Sequence, residues 1–293
     1  MSEGGKIRVG CRGTQFCRAQ TQAVIERLNS ARPDLEFEVV DLPATASTED
    51  AVLDALSAGM FDLHCRGARE VPLELPDDVQ LAACTERSDP FDVLVAQEGV
   101  LIEDLPAGSV VGVESLRVKV QIEVFREDLE LRLMNESVDQ LFEQLNQGVL
   151  AAFIVAAEDV ETCGWEESVA EVFPPDIVLP AAGQGSFALL TRSDDETSAA
   201  VARSLDHEIS HQVILAERAF LRELNVRPSD PVAVHGSFDD DTLVLEALLG
   251  DAISGAILRD DLDGEPSEKA DLGIRLAKLF MADGARDYIA GYK

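Results

Sequence analysis

Short apolar runs alternate with helix-period segments from the first residues onward, and this alternation leaves few folds open to the chain. Residues 6–10 read as a strand, and residues 14–29 carry apolar side chains at helical spacing before the break at Pro33. A second strand follows at 37–42, a helix at about 48–58, and a third strand at 61–64. Strands separated by helices at this spacing predict a parallel sheet covered on both faces. The same grammar then repeats, with strands at 109–113, 129–134 and 151–157 and helices at 116–125 and 138–147. Two α/β units in series predict a cleft between them.

After Leu179 the chain passes through a Gly-rich turn (LPAAGQGSFALL) and a helix near 198–205. From residue 208 onward it reads as a helix, two or three strands over 232–249, an acidic turn (RDDLDGEPSE, 259–268) and a last helix at 269–283. That is a third, smaller domain. The three acids at 239–241 are few enough to form a hairpin loop.

Composition narrows the function. With 293 residues and 46% hydrophobic content the chain can fill several cores. Fifty-six acids against 24 bases give a net charge of −32, a field that repels nucleic acid and acidic lipid. The acids serve solubility, in ordinary or saline surroundings, and anion binding is confined to local arginine clusters. Five cysteines (Cys11, Cys17, Cys65, Cys84, Cys163), scattered and odd in number, outline neither a disulfide framework nor a zinc site. His207 and His211 stand at i, i+4 without an evident third ligand. The opening residues lack an apolar signal core and no run of eighteen apolar residues occurs, so a cytoplasmic protein without a membrane partner is expected.

One segment concentrates charge beside a strand. FDLHCRGAREVP (61–72) joins an apolar run to Arg66, Arg69, His64 and two acids, just before a proline. Such a loop is either a site for something anionic or an ordinary solvated turn.

Five ordered motifs carry a resemblance: RGTQFCRAQ (12–20), ERSDP (86–90), LPAGS (105–109), LPAAGQG (179–185) and AERA (216–219). Together they resemble the hydroxymethylbilane synthase family, also called porphobilinogen deaminase, over nearly the whole chain. The resemblance implies an α/β fold of three domains, two like type II periplasmic binding proteins around a cleft, plus a smaller C-terminal α/β domain. The implied boundaries are 1–88 with 186–205, 91–180, and 208–293. The implied activity is a transferase of tetrapyrrole synthesis that joins porphobilinogen units with loss of ammonia. It grows them on a dipyrromethane primer held through a thioether to a cysteine.

Carried over residue by residue, the resemblance makes Glu70 the catalytic acid, at the family's aspartate, with one extra methylene. Moving such a carboxylate by about 1 Å costs on the order of a hundredfold in rate. Arg12, Thr14, Arg66, Arg69, Ser115, Arg117 and Gln184 become candidates for binding substrate or ligand; Arg66 stands at a family histidine and Arg69 at a lysine. Gly183 and Gly185 serve either a tight turn or ligand contact. Glu217 and Arg218 are expected to pair with helix neighbours and brace the third domain.

Departures from the family are as informative. Val118 replaces a second arginine, MNESVDQ (134–140) loses two more, and Thr162 stands at a fourth. Arginine suits substrate carboxylates because its planar fork donates two parallel hydrogen bonds, and a buried carboxylate left alone costs roughly 3–5 kcal/mol. The segment LPATASTE (42–49) is too short for the family's lid, and Pro228 occupies the position of the primer cysteine. A relocated primer at Cys65 or Cys11 is the alternative to small, buried cysteines. The dipyrromethane is therefore expected to be absent and the deaminase cycle impaired. The competing expectation is a retired enzyme that binds a small anionic ligand in the cleft or a protein partner.

Overall fold

The computed structural model describes residues 5–42, 48–227, 229–251 and 253–290. The chain divides into two compact units, Met1–Ser88 with Ser186–His211, and Asp89–Gly185 with Gln212–Lys293.

In the first unit, β1 (Lys6–Cys11), α1 (Gln15–Ala31), β2 (Glu36–Asp41), α2 (Glu49–Ser57) and β3 (Leu63–Gly67) follow the predicted alternation. α1 and α2 each start where a hydroxyl meets an orphan amide. The Thr14 hydroxyl accepts from Cys17 N at 3.1 Å and that of Thr48 from Ala51 N at 3.4 Å. β1 lies parallel between β2 and β3, and the interior of β3 is buried throughout. Gly10 lets Phe61 lie on β1, since a Cβ there would stand 2.5 Å from the ring.

The sheet is mixed rather than wholly parallel. β10 (Phe187–Arg192) returns antiparallel between β3 and β4 (Val79–Cys84), giving the order β2-β1-β3-β10-β4. Short apolar runs such as FALLTR carry no period of their own, so neither β4 nor β10 announces itself. Val9, Leu63, Cys65 and Leu189 pack under Val24, Ile25 and Leu28 of α1 and Ala199 and Ala202 of α6 (Glu196–Ala202).

The second unit repeats the plan with β5 (Asp92–Ala96), β6 (Val110–Val113), α3 (Leu116–Phe125), β7 (Glu130–Leu133), α4 (Val138–Asn146), β8 (Ala152–Ala156), α5 (Ala157–Cys163) and β9 (Val169–Val172). Its sheet runs β7-β6-β8-β5-β9. Both faces are covered, so the alternation of strand side chains produces two cores. Leu94 and Ile154 join Val118 and Ile122 on one side, while Val93, Val95, Phe153 and Val155 join Leu141 and Leu145 on the other.

α7 (Glu208–Leu224) and α8 (Lys269–Ala282), followed by α9 (Ala285–Ala290), cover an antiparallel sheet of β11 (Val232–Asp239), β12 (Thr242–Gly250) and β13 (Ile257–Gly264). The acids at 239–241 do form a hairpin turn, with Asp240 at φ +50°. The second acidic stretch is a correction: residues 259–264 belong to strand β13, not to a turn. Its solvent face carries Arg259, Asp261 and Asp263 while Leu258 and Leu262 turn inward, so charge masks the apolar alternation. Among the described residues no helix is long and apolar enough to cross a membrane.

Candidate functional site

Because β1 and β3 are parallel neighbours, in register at Val9↔Leu63 and Gly10↔His64, both leave the sheet at the same edge. Arg12 follows β1, and a single 3-10 turn, Ala68–Glu70, follows β3. The carboxyl-terminal edge of such strands is where open α/β sheets commonly hold ligands. Arg66 Nη2 donates to Glu70 Oε2 at 2.6 Å, and Arg12 Nη2 stands 3.7 Å from the same oxygen. Arg66 is buried, whereas the side chains of Arg12 and Glu70 are 28% and 26% exposed. Among the described residues the Arg12 guanidinium meets only Glu70, at that longer distance, so its donors remain to be used.

Electrostatics make Glu70 an anion. Burial alone would raise its carboxyl, but the charges of Arg66 and Arg69, the bond from Arg66 and the charge of Arg12 outweigh burial and hold it below the usual carboxylate range. Three of these four side chains are cationic, in a chain whose net charge is −32.

His64 lies two residues before Arg66 and had drawn no role from the sequence beyond its presence in a charged loop. Its Nδ1 meets Gly10 O at 3.0 Å, so Nδ1 carries the hydrogen and donates. Complete burial, helped by the Arg12 charge and opposed by the Gly10 bond, pushes the ring down to about 4. Nε2 is left as a buried acceptor without a protein partner among the described residues.

Arg117, Gln184 and Ser115 form a second group, within the other unit. Arg117 Nη1 and Nη2 each donate to an Asp92 carboxylate oxygen at 2.8 Å, and Nη1 also reaches Leu179 O at 2.9 Å. Gln184 Nε2 donates to Asp92 Oδ2 at 3.2 Å and is itself fully buried. Ser115 caps α3, accepting from Val118 N at 3.3 Å, as Thr14 caps α1. Sequence reading missed Asp92, although an acid opening the apolar run DVLVA is a signal, since a buried charge requires a partner.

The LPAAGQG turn is held by carboxylates. Gly183 and Gly185 have φ of +77° and +83°, the left-handed region that glycine enters freely. A Cβ at Gly185 would lie 2.9 Å from Asp89 O. Glu158 Oε2 accepts from Gly185 N at 3.0 Å, and Glu217 accepts from Gly183 N at 2.7 Å and Gly236 N at 2.8 Å. Glu217 thus ties the turn and strand β11 to α7 through their backbone amides.

The positions where the resemblance would place four cations have other occupations. Val118 is buried in an apolar core, Met134 packs beside Gly112 and Phe153, Gln140 completes a capping box with Ser137, and Thr162 donates to Glu158 O at 2.7 Å. Pro228 and residues 43–47, where the missing primer cysteine and lid would fall, lie outside the described residues.

Four of the five thiols are buried. These are Cys11, Cys17, Cys65 and Cys84. Burial pushes the Cys65 thiol up to about 12 and the half-buried Cys163 up to about 11. Both are protonated, and the thiol is the poorer nucleophile.

Comparison with known proteins covers nearly the whole chain. A family model described as porphobilinogen deaminase, dipyromethane cofactor binding domain, matches residues 7–200, and one described as porphobilinogen deaminase, C-terminal domain, matches residues 211–282. A porphobilinogen deaminase of Roseiflexus sp. (strain RS-1) is 33% identical over 298 residues, covering 97% of this chain and 98% of that protein. Another, from Syntrophus aciditrophicus (strain SB), is 31% identical over 295 residues and covers 96% of each. Among solved structures, the methionine-binding protein MetQ aligns at 16% identity and a TM-score of 0.48, covering 71% of this chain and 90% of that one.

Proposed function

Because the chain belongs to the porphobilinogen deaminase family, we propose that it descends from hydroxymethylbilane synthase, no longer completes that reaction, and holds a small carboxylate-bearing ligand beside Glu70. The observation that carries this reading is Arg12: partly exposed, 3.7 Å from an ionised Glu70, with guanidinium donors to spare. A second carboxylate could take those donors, in the paired geometry that arginine favours.

Three further observations support impairment of the deaminase cycle. In the family's mechanism the acid stabilises positive charge on a pyrrole as ammonia leaves. Here Arg66, at 2.6 Å, places a permanent cation against Glu70 and offsets the charge needed for that task. Val118, Met134, Gln140 and Thr162 supply packing and capping where carboxylate-binding arginines would stand. Proline at position 228 has no sulfur for a primer, and the buried thiols do not suit one. The reading therefore takes the protein to lack dipyrromethane. It also takes it to be cytoplasmic, with no nucleic-acid or membrane partner, which the strong negative charge supports.

Two measurements test it. Purified protein incubated with porphobilinogen should neither consume it nor gain the mass of bound pyrroles; sustained consumption would sink the claim of impairment. Calorimetry with acetate, succinate and porphobilinogen should find binding that weakens about tenfold in Arg12→Ala, the loss of roughly one charge-assisted hydrogen bond. Equal affinity in both proteins would remove the cluster as the site.

A further inference from the structure

Directly beneath Arg12 lies chemistry that the anion site does not use. Cys11 ends β1 and Cys17 sits in the first turn of α1; both are buried, and their sulfurs are 3.1 Å apart. We propose that Cys11 and Cys17 form a reversible dithiol–disulfide pair, oxidised by hydrogen peroxide, at the junction of β1 and α1.

Geometry carries the pair. A disulfide requires the sulfurs to close to about 2.05 Å, so from 3.1 Å they must approach by roughly 1 Å. The two cysteines are held on adjoining elements by the Thr14 cap, which fixes the amide of Cys17. Arg12 N–H points at Cys17 Sγ from 3.3 Å.

The two thiols are also chemically unequal, as an oxidisable pair should be. Cys11 S–H donates to Cys17, which, against the effect of burial and with help from the Arg12 amide and charge, holds Cys17 below the usual thiol range. The same bond and burial push Cys11 up. Cys17 is therefore the attacking thiolate and Cys11 the resolving thiol. In the first step Cys17 sulfur attacks a peroxide oxygen, the O–O bond breaks, and hydroxide leaves to combine with the proton shed by Cys17. In the second, Cys11 sulfur attacks the sulfenic sulfur, its proton leaves with the hydroxyl as water, and the S–S bond forms. One peroxide is reduced to two waters while two thiols lose two electrons. Cys65, pushed up to about 12 by burial, remains a protonated bystander. The pair stands whether or not the arginine cluster binds an anion.

The folded protein supplies its own test. After treatment with hydrogen peroxide, removal of the oxidant, unfolding in iodoacetamide and digestion with trypsin, cleavage after Arg8, Arg12 and Arg18 separates VGCR from GTQFCR. The expected product is these two peptides joined, two hydrogens lighter than their sum and parted by dithiothreitol. Two of the five cysteines should escape alkylation. In Cys11→Ala, with its fold checked by circular dichroism, the link should be lost and Cys17 trapped as a dimedone-reactive sulfenic acid. Cys65→Ala should leave the yield of linked peptide unchanged. A link from Cys17 to Cys65, a Cys17 oxidised alone while Cys11 alkylates in the unaltered chain, or full alkylation of all five after peroxide would each overturn the proposal.

Discussion

Replacing Asp92 with alanine should destabilise the second unit by about 3–5 kcal/mol, the usual cost of breaking a buried ion pair from one side. Asp92 is wholly buried and the Arg117 side chain is 5% exposed, so water cannot take over the lost contacts. The change removes two bonds from Arg117 at 2.8 Å and one from Gln184 at 3.2 Å. It leaves the guanidinium with Leu179 O, and Gln184 Oε1 at a distant 3.4 Å. Three bonds to a charged group at roughly 1.5–3 kcal/mol each set an upper range above that figure, which partial collapse of the site reduces. The single tryptophan, Trp165, stacks on Phe142 at 4.3 Å within this unit, so its fluorescence in a urea titration follows the relevant transition. With a slope of about 2–3 kcal/mol/M, the midpoint should fall by more than about 1 M. The double variant Asp92→Leu with Arg117→Met should recover much of the loss, because no charge is then stranded. A midpoint shift under about 0.3 M in Asp92→Ala would refute the view that Arg117 is a structural cation.

Glu70→Gln should lower stability at pH 7, and the difference from the unaltered chain should shrink as pH falls. The folded carboxyl lies below its ordinary value of 4.5, so its contribution is complete above that value and lost as pH drops through the folded one; a gap that widens in acid would contradict the cluster. The His64 ring, at about 4, should show no titration by NMR between pH 8 and 5.5. Its folded value lies below the unfolded one near 6.5, so it withdraws stability, on the order of 3 kcal/mol in all, as pH falls from about 6.5 toward 4. A ring midpoint near 6.5 would show that His64 is not buried as described. Gly10→Ala should destabilise by about 1–3 kcal/mol through the clash with Phe61, measured by thermal unfolding, and Phe61→Leu in the same chain should relieve part of it.

Local physics made the alternation of strand and helix legible. Thr14, Thr48, Ser115 and Ser137 stand where orphan amides begin α1, α2, α3 and α4, and apolar periods of about 3.6 and 2 sort the rest. Departures from that reading share a cause: β10 and β4 are short runs whose identity as strands depends on neighbours more than a hundred residues away, and β13 hides its alternation behind surface acids. The candidate site was legible in part. Arg12, Arg66, Arg69 and Glu70 could be named from motifs alone, but not the convergence of Arg12 and Arg66 on one carboxylate oxygen.

The amino-acid sequence by itself determined the α/β class, the motifs of the family, the absence of sulfur at position 228 and the replacement of four cations. Those are properties of residue identity and near-neighbour spacing. Only the tertiary structure decided what each arginine does. Arg12 faces Glu70, with donors to spare among the described residues, because β1 and β3 end at one sheet edge, and Arg117 is consumed by Asp92 because strand β5 carries that acid to the base of α3. It alone brought Cys11 and Cys17 to 3.1 Å. The reason is that charge pairing depends on distance and burial, which strand pairing sets across long separations, while the two thiols, six residues apart, meet only through the shape of the turn from β1 into α1.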